Sequence, residues 1–157
     1  MLGAAAQSLG ATCEARQAAP GFHRYLVQRG AETLVVDLVL ETVPQLVPEK
    51  PWQDGLRLDP PLEILANKLA SLVERAELRD VVDLLLLERA GFRVEDALVA
   101  AEAKDAACTP ATLAWVLSEI RLGEATEIPA DLAVAEVRGF IADLSARLRR
   151  AAFPSPE

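Results

Sequence analysis

The sequence predicts an α+β chain, mostly α, built in two parts: a small α/β domain over residues 1–60 and a helical domain over 61–157. Three observations predict it. Strand-like runs rich in β-branched and aromatic residues lie before Pro60, prolines crowd the stretch leading up to it, and from Leu62 onward the apolar residues recur at helical spacing.

An Ala-rich stretch from Leu2 to about Leu9 suits a short helix, and Gly10 is a suitable stop. Phe22 to Gln28 and Thr33 to Glu41 read as the two arms of a β-hairpin, with Arg29-Gly30 turning the chain. Pro44, Pro48, Pro51, Pro60 and Pro61 then imply an irregular connector from Val43 to Pro61, since proline lacks a backbone donor and fixes φ. Five helices are expected at about 62–76, 78–90, 93–106, 110–121 and 129–150. Thr109-Pro110 is an N-cap followed by proline at the first helical position, Gly91 ends a helix, and Pro129 opens the last one.

Composition narrows the function classes. The chain has 157 residues, 52% of them hydrophobic, enough for one or two small cores. Its uncharged apolar runs, such as Leu84 to Leu87, are far below the ~20 residues of a membrane span, and no basic segment precedes the mildly apolar start. A cytoplasmic location with no membrane partner is the expectation. A net charge of −8 works against general affinity for a polyanion, so any nucleic-acid contact must be local. The basic group Arg147, Arg149 and Arg150 is accounted for by the cation preference of a helix C-terminus. Cys13 and Cys108 lack CxxC spacing and read as small buried hydrophobes, and His23 has no companion base or nucleophile.

The chemistry concentrates on the first two long helices. At about 100° per residue, Leu62, Leu65, Ala66, Leu69, Leu72 and Val73 share one apolar face, with Lys68 and Arg75 two turns apart along one edge of it. The next helix is apolar around almost its whole circumference, so it should be largely buried. Its polar groups before Glu88 are Arg79, Asp80 and Asp83, which fall in one sector. Charges on such a helix need partners. Either Arg75 or Arg79 pairs with Asp80 or Asp83 and ties the helices together, or the strip faces a ligand cleft. In the second case Lys68 supplies a phosphate-facing charge and an aspartate supplies acid/base or positioning chemistry.

Asp37 interrupts the strand Leu34-Val35-Val36-Asp37-Leu38-Val39, on the face shared with Val35 and Val39. A metal-binding carboxylate on a central strand would account for it, because Mg²⁺ is held by one or two carboxylates plus substrate phosphates. An aspartate on an edge strand facing solvent accounts for it equally well.

The run Leu62-Glu63-Ile64-Leu65-Ala66-Asn67-Lys68-Leu69-Ala70-Ser71-Leu72, then Arg75, then Arg79-Asp80-Val81-Val82-Asp83-Leu84 resembles the signature of AbiEii/AbiGii-type nucleotidyltransferase toxins. Lys104-Asp105 and the Pro110 to Leu117 segment resemble the next portion of that family's sequence pattern. The resemblance implies a polymerase β-like nucleotidyltransferase sheet of short antiparallel strands followed by a helical bundle. It implies Mg²⁺-dependent transfer of a nucleotide from a nucleoside triphosphate to RNA, such as a tRNA 3′ end, or to protein, restrained by a separate antitoxin. By the same resemblance Asp37 matches the third metal-binding carboxylate and Lys68 contacts the nucleotide phosphates. Asp80 matches the other catalytic motif, with Arg75, Arg79 and Asp83 as substrate-binding neighbours.

The sequence departs from that pattern in one respect. No Gly-Ser or Gly-Gly turn followed by D-x-D precedes the first long helix. The expectation is therefore an impaired transferase, with a catalytically inactive nucleotide- or antitoxin-binding helical module as the alternative. A third reading is a plain interaction domain held by salt bridges. A short sheet would expose an edge and favour a homodimer through it.

Overall fold

The computed structural model describes residues 2–40 and 45–153. Glu41 of the expected second strand and Val43 and Pro44 of the expected connector lie outside the described residues. The chain forms two compact units, Met1–Val43 and Pro44–Glu157. The fold is α+β and mostly α, with a small antiparallel sheet followed by helices.

In the first unit, helix α1 (Leu2–Ser8) packs on strand β1 (Thr12–Ala19), with Ala6 and Ala11 buried. Strands β2 (Phe22–Arg29) and β3 (Glu32–Val39) complete an antiparallel meander of order β1-β2-β3. The β2–β3 hairpin has the two-residue loop Gly30-Ala31, and Gly30 takes φ +59°, a conformation that glycine adopts without strain. Sequence pattern does not reveal β1, because Thr12 is the only β-branched residue in it. Its strand conformation is imposed by pairing with β2, Thr12 opposite Gln28 through Ala19 opposite Phe22, around an irregularity between Ala15 and Gln17.

In the second unit the proline-rich connector is more regular than expected. Strands β4 (Trp52–Gln53) and β5 (Leu56–Arg57) form a small hairpin closed by Asp54 and Gly55, both at positive φ, the combination favoured by a primed hairpin turn. Helices α2 (Pro61–Arg75), α3 (Leu78–Arg89), α4 (Leu98–Lys104), α5 (Pro110–Glu119) and α6 (Val134–Ala152) follow. The expected helix 93–106 is instead a 3-10 turn (Val94–Ala97) leading into α4. The last helix begins at Val134 rather than at Pro129: Ala130 is left-handed at φ +62°, and Leu132 and Ala133 are extended, which interrupts the helical hydrogen bonds.

The core of this unit is apolar and shared by all the long helices. Leu65, Leu69 and Leu72 of α2, Val81 and Leu84 of α3, Leu113 and Leu117 of α5, and Leu144 and Leu148 of α6 are fully or almost fully buried. α2 packs on α3, α4 and α5, so its spacing of leucines accounts for its central place. Thr109 caps α5 by accepting the Thr112 amide at 3.2 Å, with Pro110 at the first helical position. No helix among the described residues is long and apolar enough to cross a membrane.

Candidate functional site

The α2–α3 turn gathers the charged residues of the motif. α2 ends at Arg75, Ala76 turns through left-handed φ/ψ (50°, 40°), and α3 starts at Leu78. This tight reversal brings the last turn of α2 beside the first turn of α3. Asp80, in that first turn, is completely buried. Arg75 holds it with a paired contact, Nε to Oδ2 and Nη2 to Oδ1, both at 3.0 Å. This two-pronged geometry is the strong form of a guanidinium–carboxylate contact. The Asp80 hydrogen bond, opposed by burial, raises the Arg75 pKa above its ordinary value.

Lys68, two turns earlier on α2, reaches the same aspartate, with Nζ 3.5 Å from Asp80 Oδ1. It also forms an ion pair with Asp83, one turn further along α3. Exposure grades across the group: the Asp80 side chain is 0% exposed, Lys68 27% and Asp83 41%. Arg79 lies at the margin, more than half exposed, with Nε 2.6 Å from Glu77 Oε2. The structure thus brings Lys68, Arg75, Asp80 and Asp83 together, and Glu77 links Arg79 to them through a 3.8 Å contact with Arg75.

Asp37 belongs to the other unit. It lies on β3 at an edge of the three-stranded sheet, and Arg24, directly opposite on β2, binds both its oxygens at 2.7 and 2.8 Å. The Arg24 hydrogen bonds hold the Asp37 carboxyl below its ordinary pKa, with burial acting weakly the other way. A metal ion at Asp37 would have to compete with that guanidinium for the same two oxygens. Among the described residues no three His, Cys, Asp or Glu side chains cluster so as to hold a metal ion.

Two further charged groups escape a reading of the sequence alone. Glu63 in the first turn of α2 is completely buried; its Oε1 faces Lys104 Nζ at 2.5 Å, and its Oε2 accepts the amides of Leu46 and Val47 at 2.9 and 3.0 Å. Burial alone would push its pKa up, but the Lys104 hydrogen bond and those two amides outweigh it and leave Glu63 below its ordinary value. Helical spacing does place Glu63 one turn before buried Ala66, a signal that its side chain points inward. Arg147 of α6 binds Glu88 of α3 at 2.7 Å and Glu95 at 3.3 Å. It therefore ties helices together, whereas Arg149 and Arg150 are exposed at the end of α6. Cys108 is buried, which pushes its thiol up to about 11 and makes it a packing residue, while Cys13 is only partly buried.

The chain thus combines an antiparallel sheet with a later helical unit whose first two helices carry this Lys-Arg-Asp cluster. The chain belongs to the AbiEii nucleotidyl transferase toxin family of type IV toxin–antitoxin systems, whose family model matches residues 13–154. No match was found among curated proteins or among solved structures.

Proposed function

We propose that this chain works in nucleotidyl transfer from a nucleoside triphosphate, and that its helical unit supplies the phosphate-binding charge through Lys68. In such a transfer an acceptor oxygen bonds to the α-phosphorus as the bond to pyrophosphate breaks, and negative charge gathers on the phosphate oxygens. A cation held in place beforehand stabilises that charge at little reorganisation cost. The observation that carries the reading is the position of Lys68. Its side chain is only 27% exposed, and its ammonium meets both the buried Asp80 and the more exposed Asp83.

Asp80 then acts through its neighbours. It touches Lys68 and Arg75 and is sealed from solvent, so it is a positioning residue for both cations. Arg79, exposed at the margin and paired with Glu77, meets the outer phosphates or an acceptor in this reading. Nucleotidyltransferases use Mg²⁺, and Asp37, held here by Arg24, is the carboxylate that would take it. Family membership supports an antitoxin as partner; the acceptor is RNA or protein, and the exposed sheet edge pairs two copies of the chain.

Calorimetric titration of the chain with GTP and the other nucleoside triphosphates, with Mg²⁺, tests the reading. Saturable binding lost in Lys68→Ala, with the thermal unfolding midpoint retained, supports it. Binding of equal strength in the variant removes Lys68 from the site. A folded chain that binds no triphosphate favours the inactive helical module.

A further inference from the structure

We propose that Asp83 is a displaceable counter-ion for Lys68, occupying in the ligand-free chain the place that a triphosphate oxygen takes on binding. The inference rests on the reading of Lys68 as the phosphate contact and adds to it a built-in competitor.

The two aspartates that reach Lys68 are not equivalent. Asp80 is fully buried, and Arg75 holds both its oxygens at 3.0 Å. Releasing it would strand a carboxylate inside the protein, so it stays. Asp83 is 41% exposed and forms its ion pair with Lys68 from the solvent side. It can leave for water by a change of side-chain rotamer, without exposing any buried group. A carboxylate oxygen and a phosphate oxygen are both anionic acceptors for the same ammonium, and one excludes the other from that position.

The local charge balance agrees. Lys68 and Arg75 against Asp80 and Asp83 sum to zero, which offers nothing to a polyanion. Once Asp83 turns away, the fixed part of the cluster, Lys68, Arg75 and Asp80, carries one net positive charge, with the Lys68 side chain partly exposed. Arg79 lies four residues before Asp83 on α3, on the same side of the helix. Glu77 holds it at 2.6 Å, so the displaced Asp83 carboxylate turns to water. The consequence is a site that stays neutral in a chain of net charge −8 until a ligand with several phosphate oxygens outcompetes one carboxylate.

The test uses the full chain, with inorganic tripolyphosphate and GTP plus Mg²⁺ as probes, and compares wild type with Asp83→Asn and Glu74→Gln. Glu74 lies near Arg75 and is exposed, so its variant removes the same charge without touching Lys68. Replacing a competitor of surface ion-pair strength should tighten binding roughly two- to fivefold in Asp83→Asn, with a clearly smaller gain in Glu74→Gln. Adding Lys68→Ala to Asp83→Asn should erase the gain. Equal gains in the two single variants would reduce the effect to general charge, and weaker binding in Asp83→Asn would make Asp83 a direct ligand contact; either result overturns the inference while leaving Lys68 in the site. If neither wild type nor Asp83→Asn binds, and both unfold at the same temperature, the reading of Lys68 itself fails and the inference falls with it.

Discussion

Arg75 and Asp80, five residues apart across the α2–α3 turn, are joined by two hydrogen bonds of 3.0 Å, and the carboxylate they share is completely buried. The pair locks the reversal between two helices and at the same time fixes one side of Lys68. Stability and site geometry therefore depend on the same contact.

Asp80→Asn keeps the shape and removes the charge, leaving Arg75 and Lys68 without their buried counter-ion. Breaking a buried pair costs about 3–5 kcal/mol; with Arg75 37% exposed, solvent recovers part of this and about 2 kcal/mol is expected. Urea unfolding of the two proteins measures it, and a difference near zero would mean that the pair contributes nothing to the fold.

Lys68→Ala should behave differently. Its side chain is 27% exposed and both its partners retain other contacts with protein or water. A loss under about 1 kcal/mol is expected, together with loss of triphosphate binding. A large destabilisation would make Lys68 a structural residue.

Glu63 predicts a pH dependence. Its folded pKa lies below the ordinary 4.5, so its ionised form contributes stability that is fully present above that value. This contribution is lost as pH falls through the folded pKa. Glu63→Gln should lower stability at neutral pH and flatten the fall below about pH 4.5. Unfolding curves from pH 7 to pH 3 decide it, and parallel profiles for the two proteins would show that another group controls the acid limb.

Ala76 adopts φ +50° at the end of α2, a conformation that costs an L-residue roughly 1 kcal/mol and glycine little. Ala76→Gly should raise stability by about 0.5 kcal/mol once the greater freedom of glycine in the unfolded chain is subtracted. A lower melting temperature in the variant would refute this.

Arg147→Met removes the contacts from α6 to Glu88 and Glu95 while retaining the aliphatic stem. Two partly buried carboxylates lose their cation, and a cost of about 2 kcal/mol is expected. Arg150→Met, at the exposed end of the same helix, should stay within about 0.5 kcal/mol. Equal effects would assign Arg147 to the helix dipole instead.

Local periodicity carried much of this structure. The leucines of α2 at helical spacing determined which face is buried and set Lys68 and Arg75 along one edge. The Thr109-Pro110 cap fixed the start of α5, and Gly30 fixed the hairpin between β2 and β3. These features depend on residues within a turn or two of one another, and the backbone repeats that relate them are known before any fold is.

Tertiary structure decided the partners. Sequence left open whether Arg75 or Arg79 would take Asp80 or Asp83; the tight left-handed turn at Ala76 brought Arg75 onto Asp80 and left Arg79 with Glu77. Strand register decided Asp37 by setting it opposite Arg24. Packing of α4 on α2, and of α6 on α3, created the Glu63–Lys104 and Glu88–Arg147 pairs. A side chain's direction is set by its own helix or strand, but the charge it meets is set by another element brought near through burial of apolar faces. Sequence alone therefore showed which groups needed a partner, and only the packed chain chose among the residues that could serve.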